Sequence, residues 1–165
     1  MRPLLLLDID GPLNPFAAKA DAKPPGYHEH KFKLPGWSRR RPLRMWLNPT
    51  HGQSLLAAAG PAQLVWATTW EHQANTMVGP AIGLPNLPVI QFGETGPAWK
   101  YPAVAAYAQN RPLIWLDDDF DMYPTARAEF LTSRGDLPTT LIPVNPRTGL
   151  TDSHFAEIRF GPTAG

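Results

Sequence analysis

Cysteine is absent from the 165-residue chain, which excludes a disulfide framework and any thiolate-bound metal. That absence suits a reducing compartment, and cytoplasmic residence is the expectation. Long hydrophobic runs are missing too. The leucines at positions 4–7 stop at Asp8, too soon for the core of a secretion signal and far too soon for a bilayer span. No membrane partner is expected. An excess of one charge is also lacking, since 15 Lys and Arg face 14 Asp and Glu for a net +1. Generic nucleic-acid binding by the whole surface is therefore unexpected, while a local basic patch stays compatible. Lysine itself disappears after Lys33, except for Lys100.

Hydrophobic residues make up 43% of the chain, a share that supports a packed core rather than disorder. The length suits one domain over residues 1–165. Proline is abundant, at 20 residues, roughly twice the usual usage, which predicts rigid turns and short elements.

The most informative segment is Leu4-Leu5-Leu6-Leu7-Asp8-Ile9-Asp10-Gly11. A short apolar run closed by acids and glycine reads as a buried parallel strand that delivers carboxylates to its C-terminal end. Acids at i and i+2 leave the same face of a strand, and glycine lets the chain turn beside them. Two carboxylates so placed either share a cation or divide nucleophilic and acid work.

Beyond this strand, residues 12–48 form an irregular insertion, a flap or minimal cap. Residues 27–34 and 43–47 are predicted to pair as an antiparallel hairpin joined through Pro35-Gly36. Asn48 is predicted to cap a helix that carries Pro49 at its first position and stops at Gly60. Strands follow at residues 63–67, 88–92, 112–116 and 140–144, and helices at 71–78, 98–109, 123–133 and 154–158. This alternation predicts an α/β fold, a three-layer sandwich around a five-stranded parallel sheet. Ligands bind such sheets outside the carboxyl ends of the strands. Asp8, Asp10, Thr68 and the Asp117-Asp118-Asp119 run all fall at those ends, and Lys100 stands near the start of the helix before the fourth strand.

These motifs, in this order, resemble those of the haloacid dehalogenase-like (HAD) superfamily of aspartate-nucleophile phosphohydrolases. The likeness rests on Asp8-Ile9-Asp10-Gly11-Pro12-Leu13, then Thr68, then Lys100, then Asp117-Asp118. The resemblance implies a phosphatase in which Asp8 attacks phosphorus and forms an aspartyl-phosphate. Asp10 would protonate the leaving oxygen and later take a proton from water. Thr68 would hydrogen-bond a phosphoryl oxygen and Lys100 would offset its charge. Mg²⁺ would be held by Asp8, the Asp10 backbone carbonyl, Asp117 and Asp118. So many acids beside one lysine would repel one another without a cation. Asp118 is favoured over Asp117 as ligand, Asp119 and Asp121 offer further oxygens, and Thr69 is the alternative to Thr68. Pro12 departs from the family pattern, because it removes an N–H from the turn.

Asp10 favours phosphoryl transfer over dehalogenation, since a halide leaves without a proton. The insertion is too small for the helical cap of the mutases. A small flap implies either an open site for a large phosphate ester, a nucleotide or nucleic-acid end, or a site closed by a second subunit. The arginines at 39–41 and 44 could hold such an anion, or simply keep a hairpin edge soluble. His28 and His30 share a strand face with Glu29 between them, but no third metal ligand is evident. Trp66 and Trp115 read as core, whereas Trp70 and Trp99 are candidates for stacking on a base, and Glu71-His72 for lining the site. The rival expectation is a non-catalytic regulatory or nucleic-acid-binding module on the same scaffold.

Overall fold

A computed structural model describes residues 1–34, 36, 41–93 and 99–161. Four parallel strands form the main sheet: β1 (Leu4–Leu7), β4 (Gln63–Trp66), β5 (Leu113–Asp117) and β6 (Thr139–Pro143), in the order β4-β1-β5-β6. All four β1 leucines are fully buried, as a strand covered on both faces requires. On one face Leu5, Leu7, Trp66 and Leu116 pack with Leu55 of α1 (His51–Ala59) and Phe155 and Ile158 of α5 (Asp152–Phe160). On the other face Leu4, Leu6 and Trp115 pack with Tyr101 and Val104 of α3 (Lys100–Ala108) and Phe130 of α4 (Pro124–Arg134). The sheet thus lies between two helical layers.

The third of the five expected strands, at residues 88–92, is not a strand. Only Val89 bridges Trp66, with the Trp66 amide donating to the Pro88 carbonyl at 2.9 Å and the Ile90 amide to Trp66 at 2.9 Å. Pro85 and Pro88 lack the N–H groups that would extend the ladder. The helix expected from residue 71 starts instead at Ala74, as a π-helical turn (Ala74–Val78) leading into α2 (Gly79–Ile82). The first helix begins two residues later than expected. Asn48 Oδ1 accepts from the Thr50 amide and hydroxyl at 3.0 and 2.7 Å, so it closes a turn ahead of the helix rather than capping it.

In the insertion, β2 (His28–Phe32) and β3 (Leu43–Leu47) pair antiparallel. Met45 and Leu47 belong to the main core, with Phe32 and Leu43 packed against it. The pair is therefore anchored to the body. Gly36 of the expected connection is described, but Pro35 and, of the arginine run, Ser38, Arg39 and Arg40 lie outside the described residues, as does Ala98. Among the described residues, no helix is long and apolar enough to cross a membrane.

His51 opens α1 in a buried position, edge-on to Tyr27 and Phe155 with ring centroids 5.3 and 5.6 Å away. Burial pushes its imidazole down from 6.5 to about 4, against a weaker upward pull from Asp152. The unfolded chain takes up this proton before the folded one does. The contribution of His51 to stability is therefore expected to fall as pH drops from about 6.5 towards 4, by up to about 3 kcal/mol. Urea midpoints between pH 7 and 4 should show a flatter profile for His51→Gln than for wild type. Equal slopes would place the acid sensitivity elsewhere.

Candidate active site

The sheet order places the topological switch at β1, whose neighbours β4 and β5 lie on opposite sides. Register keeps the ends of β1 and β5 level, with Leu7 beside Leu116 and the Asp8 amide donating to the Leu116 carbonyl at 3.1 Å. Asp8 and Asp117 therefore emerge side by side. Lys100, the first residue of α3, reaches both carboxylates: its Nζ lies 2.9 Å from Asp8 Oδ2 and 2.6 Å from Asp117 Oδ2. The residue before it, Trp99, sits at φ 29°, a backbone that non-glycine residues rarely adopt. Its ring centroid lies 4.9 Å from the ammonium.

Asp8, Lys100 and Asp117 are all buried, Asp117 completely. Burial pushes the Asp8 carboxyl upward, and the Lys100 charge offsets only part of that. Burial likewise raises Asp117, with the Asp8 charge adding to the effect. For Lys100, burial would favour the neutral amine, but the Asp8 charge and then Asp117 more than reverse this. Lys100 is therefore a fixed cation shared by two acids. Asp118 is pushed up to about 6, first by burial and then by the Asp8 and Asp119 charges. One ammonium does not neutralise this group.

Oxygens of Asp8, Asp117 and Asp118 lie within 4.8 Å of one another. A hard divalent cation accepts such an all-carboxylate set. Both Asp117 oxygens already have partners, since Oδ1 accepts from the Asp118 and Asp119 amides at 2.9 and 3.3 Å. Asp118 is thus less committed than Asp117 to partners within the protein. Gly11 explains how Asp118 comes so near. At φ 97° it makes the turn, and a Cβ there would meet the Asp118 Cβ and Cγ at 2.5 Å. A side chain at position 11 would evict the aspartate.

Asp10 does not join the carboxylate cluster with its side chain. Its Oδ1 accepts from the Asn14 side-chain amide at 3.0 Å and its Oδ2 from the Trp70 indole N–H at 3.0 Å. Asn14 Oδ1 in turn accepts from the Trp46 backbone amide of β3 at 3.1 Å. Trp70 meets Phe32 of β2 edge-on, with centroids 6.5 Å apart. Both partners of Asp10 thus lean on the β2-β3 pair. The sequence reading missed Asn14, whose only signal is a short polar side chain buried four residues after the acid. The sequence offered Trp70 only as a candidate for stacking, and its indole N–H donation to Asp10 was not foreseen.

Thr68 is fully buried at the end of β4, and its hydroxyl accepts from the Trp70 amide at 3.4 Å. The Ala67 amide donates to Leu7 at 2.8 Å, which brings Thr68 up beside the turn after β1. Thr69, by contrast, is exposed. Glu71 accepts from the Phe92 amide at 3.3 Å and His72 meets Gln91 at 3.2 Å, so both lace the turn to residues 91–92. His30 Nδ1 lies 3.1 Å from the His28 carbonyl. Among the described residues, the Asp8, Asp117 and Asp118 group is the only side-chain set able to hold a metal ion.

The family model for the HAD domain in Swiss Army Knife RNA repair proteins matches residues 4–155. The chain belongs to this family. The four ordered motifs and the HAD domain therefore agree, and the matched span runs from the first β1 leucine into α5. No curated protein and no solved structure matches the chain. Membership in the HAD family points to phosphoesterase-type chemistry, and its members typically use a divalent metal.

Proposed function

We propose that this chain, a single domain over residues 1–165, is a Mg²⁺-dependent phosphatase that removes a terminal phosphate from a nucleic-acid strand. The observation that carries the reading is the buried Lys100 bridge between Asp8 and Asp117, with Asp118 alongside. A family found in RNA repair proteins supports the choice of a strand end. The lack of cysteine suits a cytoplasmic setting.

In this reading an Asp8 oxygen attacks phosphorus as the bond to the leaving oxygen breaks. Asp10 gives that oxygen its proton, so that it departs as a hydroxyl. Water then attacks the aspartyl-phosphate, Asp10 takes the proton, and inorganic phosphate leaves with Asp8 restored. The Thr68 hydroxyl donates to a phosphoryl oxygen, and Lys100 offsets the charge that builds there. Asp8, Asp117 and Asp118, with the Asp10 backbone carbonyl, would hold Mg²⁺, whose charge offsets the crowded carboxylates and the phosphate.

The test is phosphate release from 3′- and 5′-phosphorylated RNA oligonucleotides, with Mg²⁺ and with EDTA. Release that EDTA abolishes is expected, and no release from either strand would overturn the reading. Trp70 acts through Asp10 as a positioning residue. Trp70→Phe is expected to slow an alkyl phosphate ester about tenfold and to spare a nitrophenyl ester, whose leaving group needs no proton. An equal loss on both esters would mean that Trp70 only supports the fold.

A further inference from the structure

A cleft of about 550 Å³ opens between the turn after β1 and the hairpin. Asp10, Asn14 and Trp70 line it, and so do Phe16, Leu43 and Arg44. Asp8, Lys100 and Asp117 do not line it. The cleft therefore meets the acid that serves the leaving oxygen, and not the group that would hold phosphorus. We propose that it seats the leaving alcohol, and that this alcohol is the terminal nucleoside of a strand at least two nucleotides long. The proposal rests on the phosphatase reading and deepens it.

Three features argue for a nucleoside. The volume lies in the range of small-molecule pockets, well beyond what a methyl or glyceryl group needs. Phe16 is 56% exposed, a flat apolar ring left in solvent on the cleft wall, and base faces stack on such rings irrespective of sequence. Arg44 lies over the Trp46 ring, 5.3 Å from its centroid, and its guanidinium is the type of group that forks onto a phosphodiester. A mononucleotide has no such linkage, so Arg44 would distinguish a strand end from a free nucleotide.

The test compares kcat/KM for a phosphorylated dinucleotide with that for acetyl phosphate, an acyl phosphate too small to span the cleft. Dinucleotides carrying the phosphate at the 3′ or the 5′ end run in parallel, because either end presents a nucleoside followed by a phosphodiester. In Phe16→Ala and in Arg44→Ala, the preference for the favoured dinucleotide is expected to fall about tenfold. The Arg44→Ala enzyme should also lose part of the salt dependence of the dinucleotide KM. Wild type should favour the dinucleotide over the matching mononucleotide, and Arg44→Ala should erase that margin. An unchanged preference in both variants overturns the cleft assignment, and turnover of acetyl phosphate by wild type then leaves the phosphatase reading standing. No phosphate release by wild type from either the dinucleotides or acetyl phosphate overturns both.

Discussion

Asp8→Asn is expected to cut phosphate release at least about a thousandfold, on the scale seen when a nucleophile is removed, without lowering the melting temperature. The two halves of this result have one cause. Asp8 and Asp117 are both buried against a single lysine, and burial already works against the charge on Asp8. Asparagine keeps the shape, and its oxygen still accepts from the Ile9 amide that Asp8 holds at 2.8 Å. It removes one charge from a group with more acids than cations. Folding is therefore unharmed or helped, while no carboxylate remains to take the phosphoryl group. Active sites often hold such tension between activity and stability. Phosphate release and thermal melting on the same preparation check both halves. Full activity in Asp8→Asn would remove the phosphoenzyme, and a large fall in melting temperature would show that the pair was stabilising after all.

Lys100→Met should behave in the opposite way on stability. Methionine fills a similar volume, but Asp8 and Asp117 then face each other in the interior without a counter-charge. Breaking a buried ion pair on one side costs about 3–5 kcal/mol, which for a chain of this size lowers the melting temperature by roughly 10 °C. Activity is expected to vanish as well, since Lys100 offsets phosphoryl charge in the proposed mechanism. Combining Lys100→Met with Asp8→Asn removes a charge of each sign. The double variant should recover much of the lost stability, and the non-additivity measures the coupling between the two residues. Simple addition of the two effects would mean that the contact carries no energy.

Much of the fold was legible because burial on both faces leaves a plain mark. Four leucines before Asp8, Leu64-Val65-Trp66 and Leu113 to Leu116 are runs of the kind a covered parallel strand uses. Glycine stops and proline starts marked the helices to within a few residues. The third strand was misread because its apolar residues looked right, while Pro85 and Pro88 removed the donors a ladder needs. The antiparallel pairing of β2 with β3 was visible as alternation. How firmly Met45 and Leu47 enter the core was not, because depth of burial depends on what lies opposite.

The sequence by itself determined the parallel α/β scaffold, the HAD family and the placing of Asp8, Thr68, Lys100 and Asp117 at strand or helix ends. Those features follow from local pattern and chain order. Tertiary structure alone decided that Lys100 bridges Asp8 and Asp117, that Gly11 makes room for Asp118, and that Asn14 and Trp70 hold Asp10 against the hairpin. Each of these joins residues distant in the chain or turned towards one another by the fold. Hydrogen bonds and charge pairing act over about 3 Å, and no spacing along a sequence states which side chains will come that close.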